Sequence, residues 1–93
     1  MGFDLLDFTF RIEKAFQIKV PRQAYDRLPK RMPFEATAGE MHDWVAQMCA
    51  EQAVKLPPSS WNRVKKVLLD VTGTSPKLVR RDTWIVRDLG FST

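Results

Sequence analysis

The chain opens on two interleaved stripes of apolar side chains. From Asp4 to about Phe16, the residues Leu5, Phe8, Ile12, Ala15 and Phe16 recur at the three-and-four spacing of a helix face that meets a core. Phe3, Leu6 and Phe10 keep the same spacing on another face, flanked by Asp4, Asp7, Arg11 and Lys14. Asp4 is placed to cap this helix, and Asp7 adds negative charge to its first turn, where free amides and the helix dipole favour it. Val20-Pro21 is expected to end the helix, because proline disfavours helical geometry in the residue before it. Pro21, Pro29 and Pro33 make residues 21–36 a loop with one short helical piece around Gln23–Leu28.

The next helix announces itself more plainly. Thr37-Ala38-Gly39-Glu40 has the form of a capping box, in which threonine hydroxyl and glutamate carboxylate each take up the other's backbone amide. Met41, Trp44, Val45 and Met48 supply its apolar face, with Cys49 adjacent. Leu56-Pro57-Pro58-Ser59-Ser60 then breaks the chain and offers a cap for a third helix over about Trp61–Val71. Trp61, Val64, Val67, Leu68 and Val71 fall on one side of it, and Arg63, Lys65, Lys66 and Asp70 on the other. Gly73 suits the left-handed stop beyond it. Leu78-Val79 and Trp84-Ile85-Val86 are expected as an extended loop dropping apolar side chains onto the helices, since no other segment offers a partner strand. The pattern predicts an all-α fold, a small three- to four-helix bundle forming a single domain over residues 1–93.

Length and composition narrow the possibilities without naming a function. A chain of 93 residues holds one thin core and no deep cleft. The single cysteine, Cys49, excludes an internal disulfide framework and favours a cytoplasmic setting. No apolar run is long enough to span a bilayer, and the first residues bear acids where a signal peptide bears bases. The formal net charge is +4. Its basic residues are dispersed along the chain, the pattern of a solvated surface before that of a binding patch.

Catalytic patterns are missing from the sequence. His42, the only histidine, has no second ligand or base in a motif beside it and is expected at the surface. Cys49 lies about two turns further along and is expected to pack as a small buried apolar residue. The glycines are isolated, so no phosphate-cradling loop is formed. The tryptophans occupy apolar positions suited to packing rather than base stacking. The Phe3, Leu6 and Phe10 stripe is the most informative feature, either buried against a second neighbour or left open as a partner surface.

Two segments together resemble the acyl carrier proteins. Residues 61–90, through Val64-Lys65-Lys66-Val67-Leu68, Thr72-Gly73 and Asp88-Leu89-Gly90, resemble that family's first helix and long loop. Residues 2–21, closing on Phe16-Gln17-Ile18-Lys19-Val20-Pro21, resemble its second helix, and the helix from Thr37 resembles its last. The order is second half first, so the resemblance implies a circular permutation. Residues 2–49 correspond to the carrier's second half and 61–93 to its first, with a linker near 50–60. Such a rearrangement is mild when chain ends lie close and the new cut falls in an exposed turn.

The resemblance implies that the family's phosphopantetheine serine falls at the cut, at Gly2 from one side or at Thr93, with Ser92 beside it, from the other. Only Ser92 and Thr93 are then candidates for the group, and its loss is the expectation. By the same resemblance the partner-facing residues are Phe3, Asp4, Leu6, Asp7, Phe10 and Glu13, facing a protein partner such as an acyl-chain-handling enzyme. Lys14, at a position the family fills with an acid, and the positive net charge depart from that pattern and point to a changed partner. The expected function is a non-catalytic carrier-like binding module. The alternatives are a basic helical nucleic-acid binder using Arg63, Lys65, Lys66, Arg80 and Arg81, and a homodimer exchanging helices between copies.

Overall fold

The computed structural model describes residues 5–31 and 35–89. Gly2, Phe3, Asp4, Gly90, Ser92 and Thr93 lie outside them, and with them the expected cap at Asp4 and both chain ends of the cut. Among the described residues, three α-helices form, α1 (Leu5–Phe16), α2 (Ala38–Glu51) and α3 (Ser60–Thr72), with a short 3-10 helix, Arg22–Arg27, between α1 and α2 and another, Pro76–Leu78, after α3. No strand forms among the described residues, and Thr37 and Trp84 make one isolated antiparallel bridge. The fold is all-α, a small helical bundle.

The core is built from the stripes that the periodicity marks. Phe8, Ile12 and Phe16 from α1 meet Met41, Trp44, Val45, Met48 and Cys49 from α2 and Val64, Val67 and Leu68 from α3. Burying each large side chain of this kind contributes about 1.5–3 kcal/mol. The 3-10 helix Arg22–Arg27 is pinned to that core at Ala24, whose carbonyl accepts from the Trp44 indole N–H at 2.8 Å. Tyr25 tilts against the same indole and donates to the Thr9 hydroxyl at 3.3 Å.

The helix ends show which local signals were decisive. Thr37 and Glu40 make the full capping box: the Glu40 amide donates to Thr37 Oγ1 at 3.1 Å, and the Thr37 amide to Glu40 Oε1 at 2.8 Å. Gly73 stops α3 with φ of 70°. The end of α1 differs from the expected proline stop. It closes at Gln17, left-handed with φ of 55°, and the Ile18 amide returns to the Glu13 carbonyl at 3.2 Å. Ala53, with φ of 55°, closes α2 in the same way, with the Val54 amide bonded to the Cys49 carbonyl. Both are Schellman stops built without glycine.

The loop after Gly73 docks on the start of α2. The Ala38 amide donates to Thr83 O at 2.9 Å and the Gly39 amide to Arg81 O at 2.8 Å, so the loop supplies acceptors for first-turn amides that a helix leaves unpaired. The Ile85 amide donates back to Ala36 O at 2.9 Å. Glu35 completes the seam. Its carboxylate accepts from the amides of Ala36, Val86 and Arg87, each at 2.9 Å. Val79 and Ile85 thereby sink into the core, as the loop reading expects, and Leu89 joins them, while Leu78 departs from that reading and stays exposed.

Candidate functional site

With its inner stripe committed to the core, α1 presents a strip of mixed character outward. Leu6 is 60% exposed and Phe10 is 62% exposed, one turn apart on the same face. Of the two roles open to this stripe, the described part is open at the surface. Phe10 forms one wall of a groove of about 410 Å³, completed by Glu13, Lys14, Gln17, Ile18, Lys19 and Gln52. The floor of that groove is fixed by Gln52, whose side chain donates to Lys19 O and accepts from the Lys19 amide.

Two of the acids expected to face a partner, Asp7 and Glu13, hold bonds within their own segment. Glu13 turns back along its own chain and accepts from the Val20 amide at 2.8 Å, buckling the end of α1. Asp7 is paired with Arg11 at 3.1 Å, one turn along the exposed side of the helix. Such an exposed pair contributes about 0.3–0.5 kcal/mol and largely cancels the local charge.

The positive charge is better gathered than the sequence suggests. Arg11 and Lys14 from α1 and Arg63 and Lys66 from α3 line a groove of about 340 Å³, with Ala15 and Val67 contributing apolar surface and Asp70 the carboxylate. Arg63 is held in place. Its Nη1 donates to Ala15 O at 3.0 Å and its Nε to Ser59 Oγ at 3.2 Å. A guanidinium at the C-terminal end of α1 also complements the negative end of the helix dipole. Arg81 lies elsewhere, over the Trp61 ring at 4.7 Å, and Lys65 and Arg80 do not line this groove.

His42 departs from its expected surface position. It is buried between α2 and α3, with Nε2 2.9 Å from Ser60 Oγ and its ring edge-on to Trp61. The signal was available: His42 lies three residues before Val45 and seven before Cys49, on the face those residues bury. Ser60, His42 and Asp43 superficially echo a nucleophile–base–acid relay. Ser60 is itself buried, however, and the Asp43 carboxylate stands 3.5 Å from Nδ1 with most of its side chain in solvent, too long and too wet to orient the ring. The pair staples two helices. Cys49 is buried, as expected, and burial pushes its thiol up from the ordinary value, so it is no activated nucleophile.

Among the described residues, no group of three or more His, Cys, Asp or Glu side chains gathers as a metal site would need. Ser92 and Thr93 lie outside the described residues. No helix among the described residues is long and apolar enough to cross a membrane. Set beside known proteins, the chain matches no family model, no curated protein and no solved structure.

Proposed function

We propose that this chain is a non-catalytic, carrier-like binding module that engages a protein partner through the outer face of α1. The observation behind the proposal is the pairing of Leu6 and Phe10, both more than half exposed, on a helix whose Phe8, Ile12 and Phe16 are buried and whose Leu5 is partly buried. Exposed apolar neighbours on a rigid helix are the usual core of a docking surface. On this reading the permuted carrier order is retained as a scaffold and the phosphopantetheine arm has been lost.

Two experiments test this. Incubation with coenzyme A and a broad-specificity phosphopantetheinyl transferase, followed by mass measurement, is expected to give no mass increase. An adduct on Ser92 or Thr93 would return the protein to the loaded carriers. Separately, a photoreactive benzophenone side chain placed at Phe10 is expected to form discrete protein adducts in the source cells, lost with Leu6→Ser. The same group at the exposed Lys55 is expected to form none. Equal labelling from both positions, or adducts only to a second copy of this chain, would overturn the proposal in favour of nonspecific contact or self-association.

A further inference from the structure

We infer that the partner segment is acidic: α1 and the adjoining edge of α3 fit an amphipathic helix bearing a carboxylate stripe beside an apolar one. The inference rests on α1 being the docking face and adds the chemistry of what docks. At about 100° per residue, Phe10 lies about 40° round α1 from Leu6, Lys14 about 40° further, and Arg11 about 60° beyond that. This sweep runs from an apolar ridge directly into the cationic groove. Lys14 belongs to both grooves and joins them.

The charge on this surface is one-sided where a ligand would meet it. Four cations, Arg11, Lys14, Arg63 and Lys66, line the groove with Asp70, and because Asp7 offsets Arg11, three cations stand against one carboxylate. Asp7 is already paired with Arg11, and Glu13 is bonded to the Val20 amide. Arg63 spends two N–H donors on Ser59 and Ala15, which leaves three of its five for an incoming oxygen on a group that is already immobilised. Ala15 and the buried Val67 give the groove apolar surface, and Phe10 lines the adjoining groove that shares Lys14 with it. Carboxylates over Lys14 and Lys66 with an aliphatic stripe over Phe10 satisfy both halves at once.

Nucleic acid fits this arrangement less well. A polyphosphate backbone would leave the Leu6–Phe10 ridge unused. The nearest candidate for base stacking on α3, Trp61, is covered by Arg81 on one side and met by His42 edge-on.

The test uses the full chain and a fluorescein-labelled synthetic helix with leucines at i and i+4 and a glutamate stripe alongside. Its counterpart has lysine at each glutamate. By anisotropy, the glutamate peptide is expected to bind and the lysine peptide not to bind. Binding should fall steeply between about 0.01 M and about 1 M salt, as the screening length shrinks from about 30 to about 3 Å. Lys14→Glu with Lys66→Glu, at two exposed sites, is expected to weaken binding by about tenfold or more, since close cross-interface charges turn repulsive. Circular dichroism checks that the double variant still folds. Phe10→Ser is expected to weaken binding while leaving the salt dependence in place.

Equal binding of both peptides, each lost with Phe10→Ser, would keep the docking face and overturn its acidic partner. Failure of the glutamate peptide to bind would overturn the inference outright. So would indifference to the double reversal, or displacement by duplex DNA or phosphatidylserine vesicles at equal charge concentration.

Discussion

Replacing Gly39 with alanine adds one methyl group at the point where α2 and the long loop touch. Built on the existing backbone, that carbon would lie 2.8 Å from the Arg81 carbonyl oxygen and 3.3 Å from Arg81 Cβ. The same carbonyl accepts the Gly39 amide at 2.8 Å, and the Ala38 amide bonds to Thr83 O beside it. Backbone must therefore move. Losing one or two of these bonds costs about 1 kcal/mol each, and overpacking of this kind costs about 1–3 kcal/mol. Against this stands a helix-propensity gain of at most about 1 kcal/mol. The expected net effect of Gly39→Ala is a destabilisation of about 1–4 kcal/mol, read as a fall in Tm of about 4–8 °C per kcal/mol for a domain of this size. Urea unfolding measures the energy, and amide exchange locates it, with protection falling at residues 38 and 39. Gly73→Ala is the control. A Cβ there meets nothing within 4 Å, so its cost is backbone strain at φ of 70°, about 1–2 kcal/mol, with no loss of protection at the start of α2. A Gly39→Ala protein as stable as the parent, with exchange unchanged at residues 38 and 39, would refute the close approach.

Three further outcomes follow from the local geometry. Ala53→Gly removes the left-handed strain at the end of α2 and is expected to raise stability by about 1 kcal/mol; no gain in urea midpoint would mean that Ala53 is not held at positive φ. Glu40 is held below its ordinary carboxylate range by Arg31, which reaches both its oxygens at 2.9 and 3.1 Å, and by the Thr37 amide. A depressed folded pKa gives stability that is present above the ordinary value and lost as pH falls through the folded one. The urea midpoint should therefore drop below about pH 4.5 in the parent and drop less in Glu40→Gln, and equal slopes would remove Glu40 as a cause. Cys49, buried and with its thiol pushed up, is expected to react with an aromatic disulfide reagent only as fast as the protein opens. A fast burst in the absence of denaturant would contradict that burial.

What was legible in the sequence was whatever acts over a few residues. The Thr37–Glu40 box, the stop at Gly73 and the stripes of α1 and α3 depend on spacing within a helix, and the sequence displays that spacing directly. Interactions that close over distance were not legible. Glu35 binds amides 51 and 52 residues away, and its place in a proline-bounded loop gives no hint of that. The stops at Gln17 and Ala53 escaped because they lack glycine, whose freedom at positive φ is the usual marker. At the candidate site, the exposure of Leu6 and Phe10 stood as one of two options. The convergence of Arg11 and Lys14 with Arg63 and Lys66 depends on how α1 crosses α3, and no single segment encodes that crossing.

The seam between residues 35–39 and 81–87 has a consequence for how the molecule opens. Its bonds run between backbone groups, or from one carboxylate to backbone amides, so the loop is held by its path more than by the identity of its side chains. Apart from the Ala36–Glu35 bond, each closes a span of more than forty residues, and long-range closures of this kind form after local ones and repay their entropy late. The chain therefore behaves as a clasp. Three helices can assemble first, and the segment from Val79 to Leu89 fastens over the start of α2 afterwards. Brief unfastening would bare Ile85 and the first turn of α2, and the seam residues line neither of the grooves beside α1.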